Sequence, residues 1–215
     1  MSKTCIFLDY DGVLSDSLKE AYLIARCAYS GVSVKSPINQ EEYKRFREYR
    51  PIVVNSYLYY YFFEPDGDKS DEFNKKFLAV RKELMENDTE FWKSLESPLP
   101  FLEKIKPLIE KYPQRFRILS TKNKDAIIEQ LHKYGINFNT DFVFGKFEIK
   151  NLSKGEFINS LKVEDAILID DSKENIESCK KYEKIRGYMA NWGYVKNPKD
   201  GFCEEEILDI IKENL

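Results

Sequence analysis

Three apolar runs in this chain stop abruptly at a hydroxyl or carboxylate residue, and no other feature restricts the fold so strongly. Thr4-Cys5-Ile6-Phe7-Leu8 stops at Asp9, Phe116-Arg117-Ile118-Leu119 at Ser120, and Ala166-Ile167-Leu168-Ile169 at Asp170. Runs this short, apolar on both phases of a two-residue alternation and closed by turn residues, suit strands covered on both faces, as in a parallel sheet. Weaker strand signals lie at Phe142-Val143-Phe144 and at 185–189. Helical patterns at 101–112, 124–134 (ended by Gly135), 154–161, 173–182 and 204–213 alternate with these runs. The expectation is an α/β fold with a doubly wound parallel sheet and right-handed crossovers.

The stretch 17–95 breaks the alternation. It carries helical patterns only, at 17–30, 40–62 and 70–87, with a turn cluster at Glu64-Pro65-Asp66-Gly67-Asp68 and Trp92 near its end. Two prolines in Ser97-Pro98-Leu99-Pro100 mark the return to the alternating pattern. Two domains are therefore expected: an α/β core from 1–15 and 97–215, and a helical domain from 16–96 inserted after the first strand.

Composition narrows the function classes. With 42% hydrophobic, 33% charged and 14% aromatic residues the 215-residue chain reads as globular rather than disordered. Net charge is −3 with both signs interleaved, and no basic stripe suits a nucleic-acid backbone. No apolar run approaches the ~20 residues of a membrane span, and Met1-Ser2-Lys3 leads into an apolar strand without a signal-like segment. Cys5, Cys27, Cys179 and Cys203 are scattered, with no paired spacing and no histidine close by in sequence, which fits a reducing, cytoplasmic setting. A monomer or weak homodimer is expected.

In an open parallel sheet, ligands bind beyond the carboxyl ends of the strands. The residues there are Asp9 and Asp11, Ser120 and Thr121, and Asp170 and Asp171. So many carboxylates at one sheet end are costly unless a cation neutralises them, and oxygen donors without Cys or His point to Mg²⁺ rather than Zn²⁺. Asp9 and Asp11, two apart, point the same way on an extended chain, so one can stay ionised and attack while the other carries a proton. Gly12 permits a sharp turn or close backbone approach beside them. Ser120 and Thr121 offer hydroxyls and N–H groups near a helix start, where an anion is favoured. Lys154 opens a helix at Ser153-Lys154-Gly155-Glu156 and can add positive charge, although Lys146 and Lys150 in the preceding loop compete for that place.

These residues also form an ordered set of motifs. Phe7-Leu8-Asp9-Tyr10-Asp11-Gly12-Val13-Leu14-Ser15-Asp16-Ser17 resembles the first motif of phosphatases of the haloacid dehalogenase (HAD) superfamily. Ile118-Leu119-Ser120-Thr121-Lys122 resembles the second, Lys154 is similar to the third-motif lysine, and Ile167-Leu168-Ile169-Asp170-Asp171-Ser172-Lys173-Glu174-Asn175-Ile176 resembles the fourth. Asn191-Trp192-Gly193-Tyr194 resembles a turn of phosphoglycolate-phosphatase-like members, and the helical insert stands where such members carry a cap domain.

The resemblance implies a HAD-like core with a helical cap and a Mg²⁺-dependent phosphatase acting on a small phosphorylated metabolite. Asp9 would form an aspartyl-phosphate, while Asp11 would protonate the leaving oxygen and then activate water. Ser120 and Lys154 would hold the phosphoryl group. Asp9, the Asp11 backbone carbonyl, Asp170 and Asp171 would surround the metal. Gly12, Thr121 and Lys122 in the core, with Lys19, Arg45, Arg47 and Arg50 in the insert, are candidate substrate contacts. The aromatic run Tyr57-Leu58-Tyr59-Tyr60-Tyr61-Phe62-Phe63 and the lone His132 read as structural. A sugar phosphomutase of the same fold is disfavoured because 17–28 contains no histidine, and a dehalogenase because Asp11 is present. A catalytically silent phosphometabolite-binding protein is the alternative from another class.

Overall fold

The computed structural model describes residues 4–48, 70–195 and 198–215. Strand β1 (Cys5–Leu8) shows why the apolar runs are continuous: Ile6 and Leu8 belong to one buried cluster and Phe7 to another. The same split divides β2 (Phe116–Leu119), with Phe116 and Ile118 on one side and Leu119 on the other, where the half-buried Arg117 is the strand's one charged residue. It recurs in β4 (Ala166–Asp170), where Ile167 and Ile169 oppose Ala166 and Leu168. With successive side chains on opposite faces, a strand covered on both faces has no polar phase to show.

The described residues form two compact units, Met1–Asp16 with Pro98–Leu215, and Ser17–Ser97. After β1 the chain enters helices α1 (Leu18–Ser30), α2 (Gln40–Glu48), α3 (Ser70–Asn87) and α4 (Thr89–Ser94). It then returns through α5 (Pro100–Lys111) to β2, α6 (Lys124–Lys133), β3 (Val143–Phe144), α7 (Lys146–Ile149), α8 (Lys154–Ser160), β4, α9 (Lys173–Cys179), β5 (Ile185–Met189) and α10 (Glu204–Glu213). The five strands are all parallel in the order β3-β2-β1-β4-β5. Strand order therefore reverses at β1, the place where ligands bind in open α/β sheets. Helices α5, α6 and α10 bury Phe101, Leu102, Ile105, Ile109, Ile127, Leu131, Ile207 and Ile211 on one face; α8 and α9 bury Phe157, Ile158 and Cys179 on the other. This is the expected doubly wound α/β fold.

Local chemistry sets most helix ends. Asn123 caps α6 by accepting the N–H groups of Asp125 and Ala126, and Ser153 with Glu156 forms a capping box at α8. Two details differ from expectation. Helix α9 stops at Cys179 rather than running to 182, because the Lys180 and Tyr182 N–H groups bond back to Glu177 and Cys179 in tight turns that lead into β5. Lys146 and Lys150 do not lie in a plain loop: Lys146 opens the one-turn helix α7, whose Ile149 is buried, and Lys150 follows at φ 57°.

In the Ser17–Ser97 unit, α1 packs on α3 and α2. Its Tyr22, Leu23, Ile24 and Ala25 are buried, and Tyr22 lies 5.0 Å from the Tyr43 ring and 5.5 Å from that of Phe46. Helix α3 buries Phe73, Phe77 and Leu84 along one stripe. The expected helix 40–62 is described only as Gln40–Glu48. Its remainder, the turn at 64–68, the aromatic run Tyr57 to Phe63 and Arg50 lie outside the described residues. Among the described residues no helix is long and apolar enough to cross a membrane.

A fully buried carboxylate organises this unit. Glu20 accepts from Arg81 Nε at 2.8 Å and Nη2 at 2.6 Å, and from Trp92 Nε1 at 3.1 Å, joining α1, α3 and α4. Removing Glu20 takes away two charge-assisted bonds from Arg81 and leaves the buried Trp92 N–H without its acceptor. Glu20→Ala is expected to lower stability by about 2 kcal/mol, read as a reduced urea midpoint from Trp92 fluorescence in a Trp192→Phe background. An unchanged midpoint would show that Glu20 is replaceable packing.

Candidate active site at the strand ends

Pairing register brings the acidic strand ends together. Leu8 lies opposite Ile169 in the β1–β4 pair, and the Asp9 N–H donates to the Ile169 carbonyl at 2.9 Å. Asp9, Asp170 and Asp171 are all buried, and each offers an oxygen within 4.8 Å of the others. Lys154 is 3% exposed and reaches both neighbouring strand ends, with Nζ 2.8 Å from Asp9 Oδ1 and 2.6 Å from Asp170 Oδ2. Of the three lysines the sequence left in contention, Lys146 and Lys150 are exposed, and Lys154 alone of them is at the cluster.

Backbone and amide donors complete the carboxylates. Asp9 Oδ1 accepts the Tyr10 N–H at 2.7 Å. Asp170 Oδ1 accepts the Ser172 N–H at 2.8 Å, and the Asn175 amide donates to both Asp170 oxygens at 3.1 Å. Asp171 Oδ2 accepts the Tyr194 N–H at 2.5 Å. Two glycines make room for Asp171. A Cβ at Gly12, whose φ is +83°, would stand 2.1 Å from Asp171 Oδ2, and one at Gly193 would stand 2.4 Å from the Asp171 Cβ. Trp192 fixes this turn by donating from Nε1 to the Val13 carbonyl at 3.2 Å and lying against Phe101.

Asn175, Gly193 and Tyr194 belong to quoted motifs but were not singled out as site residues. Asn175 was discoverable, since it stands in the first turn of α9, five residues after Asp170. The Tyr194 contribution is a backbone N–H, which no side-chain pattern reveals.

The remaining candidates fall in different places. Ser120 is buried and its Oγ accepts the Lys122 N–H at 3.2 Å. Its own N–H donates to the Phe144 carbonyl at 3.0 Å, continuing the sheet, and Asn123 already caps α6. Ser120 therefore offers its hydroxyl rather than its N–H, and Asn123, not Ser120 or Thr121, caps α6. Thr121 is exposed. The Asp11 carboxylate stands outside the cluster of three and pairs with Lys122, whose Nζ is 3.2 Å from Asp11 Oδ1. Lys19 on α1 and Arg45 and Arg47 on α2 are exposed residues of the second unit, with the Arg47 guanidinium 5.8 Å from the Tyr43 ring.

The electrostatics fit a cation. Burial pushes the Asp9 carboxyl well above the ordinary carboxylate range; Lys154 opposes the rise, and the charges of Asp170 and Asp171 add to it. Burial and Asp170 raise Asp171 to about 7, against the Tyr194 N–H and Lys154. Burial alone would lower Lys154, but Asp170 and Asp9 outweigh it and hold its pKa above the usual lysine value. Three carboxylates facing one ammonium leave negative charge uncompensated, and their oxygen-only donors suit a hard divalent ion such as Mg²⁺.

A pH-dependent stability follows. Without metal, Asp171 holds its proton to about pH 7 when folded but only to about pH 4 when unfolded. Its contribution to stability is complete below the unfolded value and is lost as pH rises through the folded one. A cation competes with that proton, so Mg²⁺ is expected to raise the thermal midpoint, relative to EDTA, more at pH 8 than at pH 5. Equal shifts at both pH values, or none, in scanning calorimetry would contradict this assignment.

No protein-family model and no curated protein matches the chain. Solved structures do. A haloacid dehalogenase-like family hydrolase from Streptococcus pneumoniae aligns over 97% of this chain and 98% of its own, with TM-score 0.66 and 18% identity. A protein named a predicted phosphatase from Clostridium acetobutylicum aligns over 99% and 100%, with TM-score 0.65 and 16% identity. One named a predicted phosphoglycolate phosphatase from Haemophilus somnus aligns over 98% and 99%, with TM-score 0.63 and 15% identity. At these identities the likeness establishes the fold: the chain has the haloacid dehalogenase-like architecture along nearly its whole length.

Proposed function

We propose that this protein is a Mg²⁺-dependent phosphatase that hydrolyses a small phosphorylated metabolite through an aspartyl-phosphate on Asp9. The observation that carries the reading is the different setting of two carboxylates two residues apart. Asp9 is buried against Asp170, Asp171 and Lys154; Asp11 stands apart from them, partly open to solvent and paired with Lys122. Two carboxylates in unlike environments can divide nucleophilic and acid–base work. The names of the structural neighbours above point to the same chemistry.

In this reading Asp9, Asp170 and Asp171, with the Asp11 carbonyl, would hold Mg²⁺. When bound, the ion supplies positive charge that keeps Asp9 ionised and offsets charge building on the phosphoryl oxygens. The ionised Asp9 oxygen attacks phosphorus. Asp11 gives its proton to the departing ester oxygen, and the resulting carboxylate then takes a proton from the water that cleaves the phosphorylated Asp9. Lys154 steadies Asp9 and Asp170 and adds charge beside the phosphoryl group, and the Ser120 hydroxyl donates to it. Phosphoryl transfer needs mainly such positioning and charge stabilisation.

The helical unit serves as the cap in this proposal because the insert enters directly after β1. Lys19, Arg45, Arg47 and Arg50 are its candidate substrate contacts, with Gly12 and Thr121 in the core. The four thiols, all free, are consistent with a cytoplasmic setting.

Phosphate release from a panel of phosphorylated metabolites, with Mg²⁺ or EDTA, tests the reading. Asp9→Asn is expected to abolish release with the thermal midpoint retained in Mg²⁺, and Asp11→Asn to accumulate phosphorylated Asp9 detectable as a mass increase on the intact protein. Normal turnover by Asp9→Asn would end the proposal. Release by no compound, with beryllium fluoride binding retained, would favour a silent phosphometabolite-binding protein.

A further inference from the structure

The sequence offered Lys122 as a substrate contact, and its surroundings indicate a different task. Its ammonium is buried, with the side chain 6% exposed against 28% for its partner Asp11, at 3.2 Å. It also lies 5.3 Å from the centroid of the Tyr10 ring, in the segment between Asp9 and Asp11. The backbone beneath it is held at both ends. The Lys122 N–H donates to Ser120 Oγ at 3.2 Å, and its carbonyl accepts the Lys146 N–H of α7 at 3.0 Å. The lysine stem thus starts from an anchored point beside Ser120, whose hydroxyl is expected to meet the phosphoryl group.

The two buried lysines at the strand ends take different carboxylates. Lys154 spans Asp9 and Asp170, while Lys122 reaches Asp11. Asp11 follows β1 in a turn, and an aspartate there has several staggered positions open to it. Proton transfer to a leaving oxygen requires approach within about 2.6–3.2 Å. A fixed cation at Oδ1 restricts that choice and leaves Oδ2, the oxygen that carries the proton when Asp11 acts as an acid, to face the reacting group.

We propose that Lys122 is a positioning residue that tethers the Asp11 carboxylate apart from the metal-binding cluster and aligned for proton transfer, rather than a contact for substrate. The assignment rests on the phosphatase reading above. It makes the effect of Lys122 depend on how much the leaving group needs a proton. Phenolate, a strong base, departs with help from Asp11. The p-nitrophenolate ion is a much weaker base and leaves largely without it. A lysine that held the phosphoryl group would serve both esters equally.

The test compares kcat/KM for phenyl phosphate and p-nitrophenyl phosphate in the Mg²⁺-loaded full chain. Lys122→Met is expected to lose about tenfold or more on phenyl phosphate beyond its loss on p-nitrophenyl phosphate, with little change in KM for the latter. Lys122→Arg, which keeps the cation, is expected to recover most of that difference, and it serves as the second variant should Lys122→Met fold poorly. Asp11→Asn is expected to widen the gap between the esters in the same way, and adding Lys122→Met to it to widen the gap no further, as for residues acting through one another. Equal losses on both esters, a raised KM on p-nitrophenyl phosphate, or multiplicative effects in the double variant would overturn the role of Lys122. Failure of the unmodified protein to hydrolyse either ester would instead count against the phosphatase reading itself, and the tether would fall with it.

Discussion

Three buried carboxylates meeting one buried ammonium is the constraint on which the α/β unit depends. Leaving charges in a poorly solvated sheet end is expensive, and Lys154 compensates only part of it. The neighbouring structure works to keep this arrangement. Asn175 and the Ser172 N–H hold Asp170 from the first turn of α9, and Tyr194 holds Asp171 from the turn after β5. The register of β1 against β4 then sets Asp9 beside Asp170 with no side-chain contact needed to align them. A site of this kind gives up stability to keep uncompensated negative charge at the sheet end, where a cation would find its ligands ready-made.

The outline of that site was legible because strand ends announce themselves. Runs such as Ala166-Ile167-Leu168-Ile169 carry the signal of a doubly covered strand, and the change to Asp170 marks where the sheet meets solvent or ligand. The helix 204–213 appears at its expected bounds for a similar reason, since its apolar period ends cleanly there; the weaker strand signal at 185–189 is fixed instead by pairing with β4. What could not be read was set by contacts between distant parts of the chain. Tyr194 acts through its backbone, Gly193 through the space it leaves, and the Ser120 N–H by joining the sheet. None of these is written in residue type. Lys122 and Lys154 were both visible as lysines near strand ends, but their carboxylate partners, Asp11 for one and Asp9 with Asp170 for the other, were not.

Glu20 shows the same limit in the helical unit. Nothing in residue type marks Glu20, just ahead of Ala21-Tyr22-Leu23-Ile24-Ala25, as a buried residue. In the fold it is fully enclosed because Arg81 and Trp92, from two other helices, converge on it. The likeness to solved structures at 15–18% identity has a related cause. Cores accept many apolar residues of suitable volume, so strands and helices can differ widely in sequence while packing alike.

The placement of Asp9 and Asp11 carries the chemical argument furthest. Two aspartates separated by one residue would be nearly equivalent on a regular strand, both facing one way. Here β1 ends at Leu8 and the chain turns at once, with Gly12 at positive φ lying against Asp171. The turn carries Asp11 away from the carboxylates that surround Asp9, into reach of a separate lysine. One buried carboxylate among like charges and one at the opening with its own cation are no longer equivalent, and chemical difference between neighbours is what a two-step phosphoryl transfer requires. Gly12, the residue after Asp11, completes the same turn and leaves the space that Asp171 fills.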